Sequence, residues 1–240
     1  MTRKPVLLFT KLPVAGRVKT RLIGALTPEQ AAELHAAFLG DLVERLSGQP
    51  FTLLPVWALE RCEEIPPQPP GGQRQIEGNL GERMRHSFTE LLSASGCNEE
   101  GGFAVAIGSD LPGLEPGRIE QAFTALAQGV DVVLGPAVDG GYYLIGLGAG
   151  ALGAPLFEEI AWSTDAVLTQ TLERCRAAGL SVELLAEEED IDAADALERL
   201  PGRLAAGELP ACPRTAMLLA AWASQREPAC GTKLEGVCVS

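Results

Sequence analysis

The sequence is poor in basic residues, poor in aromatic residues and free of long apolar runs near its start. Its 19 lysines and arginines stand against 32 aspartates and glutamates, so the formal net charge is −13. A chain this acidic repels nucleic-acid phosphates and anionic lipid head groups, which disfavours a nucleic-acid binder or a membrane-surface protein. A small phosphorylated ligand remains compatible with this charge, because a local basic cluster or a bound divalent cation can reverse the field within one cleft.

The N-terminal apolar segment is too short for a secretion signal or a membrane span. It covers residues 6–9 and is closed by Thr10 and Lys11. A signal peptide needs about 7–15 apolar residues and a membrane helix about 20. We therefore expect a soluble cytoplasmic protein.

The six cysteines lack a metal-binding spacing. None forms a Cys-x-x-Cys pair, and His35 and His86 are too few to complete a zinc site. We expect reduced, mostly buried thiols, except where Cys230 and Cys238 lie in a tail punctuated by glycine and proline. The two histidines are interpreted as surface or half-buried structural residues.

Short apolar runs alternate with amphipathic segments along most of the chain. Strands are predicted at residues 5–9, 52–59, 103–107, 131–134, 142–147 and 182–185. Helices are predicted at residues 29–47, 81–92, 116–128 and 193–199, and one more is capped by Ser163 or Thr164 and ends at Gly179. This alternation predicts an α/β fold, a three-layer sandwich around a mostly parallel mixed sheet.

A cluster of basic residues follows the first predicted strand. Lys11, Arg17, Lys19 and Arg21 lie within eleven residues of an otherwise acidic chain, and Gly16 lets the backbone approach a ligand. Arginine forks and lysine ammonium groups suit phosphate oxygens. The alternative is a solvated turn before a helix. A Walker A loop is not indicated, because no glycine directly precedes Lys19.

Aspartates follow two later predicted strands. Asp110 comes after Ser109 at the end of the strand at residues 103–107, where a carboxylate can hold Mg²⁺ or Mn²⁺; the alternative is a cap of the next helix. Asp190 and Asp192 stand two residues apart, so in a strand-like segment both face the same side. Ligands of open α/β sheets bind beyond the carboxyl ends of the strands, which is where these residues are expected to meet the basic loop.

Six motifs, in this order, resemble those of one family: Lys11-x-Pro13-x-x-Gly16-x-x-Lys19-Thr-Arg-Leu22, Gly78-x-Leu80-Gly-Glu-Arg-Met84, Ile107-Gly-Ser-Asp-Leu-Pro112, Gly135-Pro-x-x-Asp-Gly-Gly-Tyr-Tyr-Leu-Ile-Gly146, Trp162-Ser-Thr164 and Asp190-Ile-Asp192. The family is a group of small bacterial proteins with the glycosyltransferase-A (GT-A) fold. It includes arsenosugar-biosynthesis-type glycosyltransferases and members of unknown function. The resemblance spans about residues 5–200 and implies a nucleotide-diphospho-sugar transferase fold, with a nucleotide over the carboxyl edge of the sheet and a divalent cation at Asp110.

A more distant resemblance connects the basic loop and Ser109-Asp110-x-Pro112 with 2-phospholactate guanylyltransferases and molybdenum-cofactor nucleotidyltransferases. In those families the basic N-terminal loop handles a triphosphate and a late aspartate joins the metal. By that analogy Asp190 or Asp192 is the second metal ligand here. The sequence departs from the usual GT-A pattern at one place, because Ser109-Asp110 stands where GT-A enzymes carry Asp-x-Asp.

The resemblance implies a transferase that depends on Mg²⁺ or Mn²⁺. Glycosyl transfer from a nucleotide-diphospho-sugar to a small acceptor is the first hypothesis. Nucleotidyl transfer from a nucleoside triphosphate to a small phosphorylated or hydroxylated substrate, with release of pyrophosphate, is the alternative. A non-catalytic nucleotide-binding protein is the second alternative. The expected partners are small molecules, without nucleic acid or membrane.

The candidate site residues fall into four groups. The catalytic group is Asp110, Asp139 and Lys19, in which Asp139 could act as a base toward an acceptor hydroxyl. The phosphate-binding group is Lys11, Gly16, Arg17, Lys19, Arg21 and Ser109. The substrate-binding group is Gly140, Gly141, Trp162, Ser163 and Thr164, where the serine and threonine either cap a helix or bind an anionic substrate at its N-terminus. The metal group is Asp110, Asp190 and Asp192.

Two regions of the chain are expected to differ in organisation. Residues 1–200 are predicted to form one GT-A-like nucleotide-binding catalytic domain. Residues 201–240 break the alternation of strands and helices, and we expect a partly disordered C-terminal extension that carries one helix at residues 215–224.

Overall fold

The computed structural model describes residues 4–69, 71–94 and 102–226. The described strands are β1 (Lys4–Lys11), β2 (Phe51–Ala58), β3 (Gln73–Arg74), β4 (Phe103–Gly108), β5 (Val132–Pro136), β6 (Tyr142–Gly148) and β7 (Val182–Leu184). The described α-helices are α1 (Pro28–Leu46), α2 (Leu80–Ala94), α3 (Pro116–Ala127), α4 (Val167–Ala177), α5 (Ala194–Ala205) and α6 (Pro213–Arg226). Every predicted strand and helix is present, and the two-residue strand β3 was not predicted.

The strands form one mixed sheet in the order β3-β2-β1-β4-β6-β5-β7. β1 runs parallel to β2 and β4, β3 runs parallel to β2, and β7 runs parallel to β5. Only β6 is reversed in this sheet of described strands, and it pairs antiparallel with β4 and β5. The predicted mostly parallel mixed sheet is therefore confirmed.

Side chains alternate between two apolar layers because successive residues of a strand face opposite sides. Val6 and Leu8 of β1 pack in a cluster with apolar residues of α1 and α3, among them Leu42 and Phe123. Leu7 faces the other way, into a cluster with Met84, Phe88 and Leu92 of α2 and with Cys175 of α4. Helices on both faces of the sheet make the predicted three-layer sandwich.

Helix α1 begins as its sequence predicts. The Thr27 side chain accepts a hydrogen bond from the Gln30 main-chain nitrogen at 3.2 Å, and the Gln30 side chain accepts one from the Thr27 nitrogen at 3.0 Å. This capping box satisfies two amide donors that the first helical turn leaves unpaired. Leu34, Phe38 and Leu42 are fully buried along one face of the helix.

The predicted cap of α4 is wrong. The helix begins at Val167 with Ala166 as its N-cap residue, and neither Ser163 nor Thr164 caps it. Ser163 has φ +67°, in the left-handed region. The Thr164 hydroxyl instead donates to the Ala161 carbonyl at 2.7 Å and forms a turn that precedes the helix.

The helix predicted at residues 193–199 continues through Pro201 to Ala205. Leu197 and Leu200 lie in an apolar cluster with Leu22, Phe38 and other residues of α1 and α6, and this burial favours the longer helix. The boundary predicted at residue 200 thus falls inside α5.

Helix α6 confirms the helix predicted at residues 215–224 and packs along α1. Asp41 of α1 is buried and accepts hydrogen bonds from the main-chain nitrogens of Arg214 and Thr215, both at 2.9 Å. These bonds fix the first turn of α6 against the body of the fold. Cys97, Cys230, Cys238 and the predicted disorder beyond residue 226 lie outside the described residues.

The described cysteines are free thiols, with Cys175 and Cys212 buried and Cys62 exposed. No helix in the described part of the chain combines the length and hydropathy that a membrane span requires.

Candidate functional site

A cleft of about 490 Å³ lies over the carboxyl ends of β1 and β4. Five loops reach it, and they contribute these predicted residues: Lys11, Arg17, Lys19, Arg21, Ser109, Asp110, Asp139, Gly141, Trp162, Ser163, Thr164, Asp190 and Asp192. The topology places them together, because β6 is antiparallel and its start lies at the same sheet edge as the end of β4. Gly16 and Gly140 are not among the residues that line the cleft.

Lys19 and Asp110 form the central contact of the cleft. The lysine Nζ lies 2.7 Å from Asp110 Oδ1 and donates a second hydrogen bond to the Ile191 carbonyl, also at 2.7 Å. It also stands 4.5 Å from the centre of the Phe38 ring, in a cation–π contact. The lysine side chain is 1% exposed and that of Asp110 is 42% exposed, so the ammonium group is fixed below the carboxylate.

The ion pair sets the charge state of Asp110. Burial is the largest influence and would raise the pKa of this carboxyl, but the charge and hydrogen bond of Lys19, together with smaller contributions from His35 and Lys11, hold the pKa below its ordinary value. Asp110 is therefore ionised at neutral pH.

Arg21 connects two other segments of the cleft. Its Nη1 lies 3.2 Å from Asp192 Oδ2, and its Nη2 lies 3.4 Å from the Ser163 carbonyl oxygen. The guanidinium is half exposed. An anion that enters the cleft can therefore reach it from the solvent side.

Arg17 lines the cleft but is engaged by acidic residues of the loop after β2. Its Nη1 donates to Glu63, and its Nε lies 3.2 Å from Glu60 Oε1. The hydrogen bond from Arg17 lowers the pKa of the Glu63 carboxyl. Of the four predicted basic residues, Arg17 is the one whose charge is offset by two carboxylates.

The turn between β5 and β6 is shaped by Asp139 and Gly140. Asp139 is exposed, and its Oδ1 accepts a hydrogen bond from the Gly141 nitrogen at 2.9 Å. Gly140 has φ +85°, and a Cβ there would lie 2.3 Å from the Asp165 carbonyl oxygen. The glycine therefore joins the turn closely to the segment before α4, where its carbonyl accepts from the Leu168 nitrogen at 2.9 Å.

Carboxylates opposite the basic loop repel one another. Burial raises the pKa of Asp190 to about 6, and the negative charges of Asp139 and Asp110 act in the same direction. Burial also raises the pKa of Asp192, with a further contribution from Asp110. A cation brought between these groups would relieve that repulsion.

The carboxylates of the cleft fit a divalent cation that takes its remaining ligands from phosphate and water. Among the described residues, no three carboxylate, imidazole or thiolate groups are arranged to hold a metal by themselves. Asp110 Oδ1 accepts a hydrogen bond from Lys19, and Asp110 Oδ2 accepts none from the described residues. Carboxylate oxygens supplemented by phosphate and water are the usual environment of Mg²⁺. Asp110 with Asp190 or Asp192 could hold such an ion once a phosphate ligand is present.

Two residues that line the cleft, His35 and Arg83, were not predicted from the sequence as part of it. His35 is buried, contrary to the expected surface or half-buried role, and its Nε2 lies 3.0 Å from the Lys11 carbonyl oxygen. Burial lowers its pKa, so the ring is neutral at pH 7. It stands next to Leu34 and one turn before Phe38, so the helical period was the available signal. Arg83 lies within one of the six motifs but had no role assigned to it.

His86 lies as expected near the surface. Its Nε2 is 3.4 Å from Glu90 Oε2 one helical turn away, and its side chain is 39% exposed.

Comparisons with known proteins agree with this architecture. The model of a family of uncharacterized proteins conserved in bacteria (DUF2064) matches residues 71–164. No curated protein matches the sequence. A solved structure from Desulfovibrio desulfuricans G20, provisionally assigned as a nucleotide-diphospho-sugar transferase, is 28% identical with a TM-score of 0.81. The match covers 93% of this chain and 96% of that one.

Two further structures are similar at lower identity. A cytidylyltransferase from Leptospira borgpetersenii serovar Hardjo-bovis has a TM-score of 0.54 at 13% identity, over 93% of this chain and 95% of its own. A CMP:2-keto-3-deoxy-manno-octonic acid synthetase complexed with CTP has a TM-score of 0.50 at 12% identity, over 87% of this chain and 100% of its own. These two share the fold. Together with the match to the Desulfovibrio structure, they confirm the nucleotide-diphospho-sugar transferase fold that the motifs indicated.

Proposed function

We propose that this chain is a metal-dependent transferase that uses a nucleotide-activated donor. Its first proposed reaction is glycosyl transfer from a nucleotide-diphospho-sugar to a small acceptor. The observation that carries the proposal is the Lys19–Asp110 pair, which places a buried ammonium group and an ionised carboxylate in one cleft. A diphosphate needs both kinds of group, the cation to neutralise its oxygens directly and the carboxylate to hold a bridging metal ion.

Lys19 supplies a fixed positive charge beneath the cleft, where it can attract the phosphates of a donor without moving. An ammonium group has three donors, and the Asp110 carboxylate and the Ile191 carbonyl accept two of them. The third donor has no hydrogen-bond acceptor among the described residues, and the Phe38 ring lies 4.5 Å from the nitrogen. Because the side chain is already buried and ordered, binding loses little side-chain entropy. Arg21, and Lys11 at the end of β1, add positive charge along the same wall.

The carboxylates of the opposite wall have separate proposed roles. Asp110, together with Asp190 or Asp192, would hold Mg²⁺ or Mn²⁺ with the phosphates of the donor. When bound, the ion supplies charge neutralisation for the departing nucleoside diphosphate. Asp139 is exposed at the turn before β6, where it could accept a proton from an acceptor hydroxyl. The substrate-contacting group would be Gly141, Trp162, Ser163 and Thr164.

Nucleotidyl transfer is a second candidate because of the charge on the loop after β1. Four basic residues among the predicted phosphate ligands line the cleft: Lys11 at the end of β1, and Arg17, Lys19 and Arg21 in the loop that follows. A triphosphate carries more charge to neutralise than a sugar diphosphate. In this reaction the acceptor would attack the α-phosphorus, and pyrophosphate would leave.

Product analysis separates the candidates. Full-length protein is first screened by thermal shift against nucleoside triphosphates and nucleotide sugars, with and without Mg²⁺, because a ligand of the folded state raises its melting temperature. The ligands that bind are then incubated with a panel of hydroxylated and phosphorylated acceptors. Release of nucleoside diphosphate means glycosyl transfer, and release of pyrophosphate means nucleotidyl transfer. Binding without any product across the panel would favour a non-catalytic nucleotide-binding protein.

A further inference from the structure

A second cleft of about 680 Å³ adjoins the first and lies over the carboxyl ends of β2 and β3. The two clefts share part of their lining, which consists of Lys11, Arg17, Ala58, Gln75 and Arg83. The boundary between the clefts is therefore formed by side chains rather than by a strand or helix. Of the shared residues, Arg83 has no role in the proposed reaction, and Lys11 adds positive charge to both clefts.

Arg83 is held in place by a neutral partner. Its Nη1 donates to Gln75 Oε1 at 3.3 Å, and Gln75 Nε2 in turn donates to the Val56 carbonyl of β2 at 2.8 Å. The arginine Nε is buried and has no acceptor among the described residues. The guanidinium is thus oriented by the sheet, through an amide, without a compensating negative charge.

The other arginines of the second cleft are already engaged. Arg17 pairs with Glu60 and Glu63, Arg61 lies 3.9 Å from Glu77, and Arg74 donates to the carbonyls of Leu59, Glu60 and Glu63. In the described part of the chain, neither Lys11 nor Arg83 has a carboxylate within ion-pair distance. Water solvates the exposed Lys11 ammonium group, whereas the Arg83 guanidinium is partly buried without an acidic partner, in a chain of net charge −13.

We propose that Lys11 and Arg83 form an anion subsite at the junction of the two clefts, which takes a phosphate group. A planar guanidinium matches phosphate oxygens in shape and charge, and the Lys11 ammonium in the lining of the same clefts adds positive charge. The subsite differs from the Lys19–Asp110 pair, because Arg83 comes from α2 and is oriented by β2 and Gln75 instead of by the carboxylates. The phosphate belongs either to the nucleotide or to a phosphorylated acceptor. This assignment to a substrate rests on the proposed function.

Calorimetry with inorganic pyrophosphate tests the subsite without any assumption about the nucleotide. Arg83→Gln removes the charge, and Gln75→Glu keeps the arginine but gives it an internal carboxylate partner. Each variant is expected to raise the Kd for pyrophosphate about tenfold. Arg85→Gln is the matched control, since Arg85 lies on the same helix, is about half exposed and pairs with Glu158. It should leave the Kd unchanged.

The proposal is overturned if the wild-type protein does not bind pyrophosphate, or if the folded variants at positions 83 and 75 both bind it as tightly as wild type. A second titration identifies the source of the phosphate. If a saturating nucleotide displaces pyrophosphate, the subsite takes the nucleotide's own phosphate, and if pyrophosphate binds alongside it, the subsite takes that of the acceptor. If pyrophosphate binding depends on Arg83 but the protein has no transferase activity, the anion subsite stands and only the proposed function is refuted.

Discussion

Lys19 Nζ and Asp110 Oδ1 lie 2.7 Å apart although the two residues are separated by 91 positions in the sequence. The contact joins the loop after β1 to the loop after β4 and closes the floor of the cleft. The lysine side chain is almost fully buried and the aspartate is half-buried, so the loss of one partner has a different consequence from the loss of the other. Loss of the carboxylate leaves a buried ammonium group, whereas loss of the lysine leaves a carboxylate that water can reach.

Substitution of Lys19 should separate phosphate binding from nucleoside binding. Lys19→Ala is expected to weaken the binding of a nucleoside diphosphate by tenfold or more, that is by about 1.4 kcal/mol or more, and to leave nucleoside affinity nearly unchanged. The reason is that the ammonium charge attracts the phosphates and not the uncharged base or ribose. Calorimetric titration of both ligands measures the difference. Equal losses for the two ligands would show that the loop does not contact phosphate.

Asp110→Asn should remove the metal dependence of nucleotide binding while the fold is retained. The amide keeps the shape of the carboxylate but is a poor ligand for a hard cation. Titrations of nucleotide with and without Mg²⁺ should differ for wild type and coincide for the variant. Asp131→Asn is a suitable control. The Asp131 carboxylate accepts hydrogen bonds from Ser181 just before β5 and β7, at the strand ends opposite to the cleft. Unchanged metal dependence would remove Asp110 from the site.

Stability should depend on pH through Asp190. Its pKa is raised to about 6 in the folded protein from an ordinary value of 3.8, so between these pH values the folded state binds more protons than the unfolded state. The contribution of this group to stability therefore falls as pH rises from about 4 to 6, and it stays reduced above that range. A shift of this size corresponds to at most about 3 kcal/mol, so Asp190→Asn removes the effect and should raise the melting temperature at pH 7 by up to about 10 °C.

The measurement for Asp190 is the difference in melting temperature between variant and wild type as a function of pH. The difference should grow between pH 4 and 6 and then level off. Asp195→Asn provides the comparison, since the pKa of this exposed aspartate is lowered by hydrogen bonds. A constant difference for the Asp190 variant across the whole range would contradict the assignment.

The parts of the site that could be predicted from sequence are those set by topology and local pattern. Short apolar runs in the sequence predicted β1 and β4. Because ligands of open α/β sheets bind at the carboxyl ends of the strands, Lys19 and Asp110 were expected at the same sheet edge. Asp190 and Asp192 both line the cleft on either side of the buried Ile191, as their spacing predicted, although the segment is not a strand in the structure.

The parts that could not be predicted depend on contacts between distant irregular segments. Arg17 meets Glu63 across 46 positions, and the glutamate lies near a proline-rich loop that carries no periodic signal. The continuation of α5 through Pro201 also depends on contacts with distant segments. The helix tolerates this proline because Leu200 is fully buried against other helices. Tertiary burial overrides local propensity in that case.

Residues beyond position 200 should contribute to stability rather than to the cleft. Asp41→Ala leaves the main-chain nitrogens of Arg214 and Thr215 and the buried Thr215 hydroxyl without an acceptor and should destabilise the protein by about 2–4 kcal/mol. At about 2–4 °C per kcal/mol, the melting temperature should fall by roughly 4–16 °C. Nucleotide affinity measured well below the transition should remain that of wild type.

A control for this prediction lies one turn further along α1. Glu44→Ala removes an exposed ion pair with Arg214 and should change stability by no more than about 0.5 kcal/mol. If Asp41→Ala is as mild as Glu44→Ala in thermal denaturation, α6 is not held to α1 by this aspartate.

The reversed strand β6 makes one wall of the cleft open to engineering. Because β6 runs against β4 and β5, the turn at residues 137–141 enters the cleft directly from a hairpin rather than from a helical crossover. Val138 at its tip is 60% exposed, so extra residues grafted beside it would extend that wall without shifting either strand register. Chimeras built there could vary the range of accepted molecules while the loop that carries Lys19 keeps its native length.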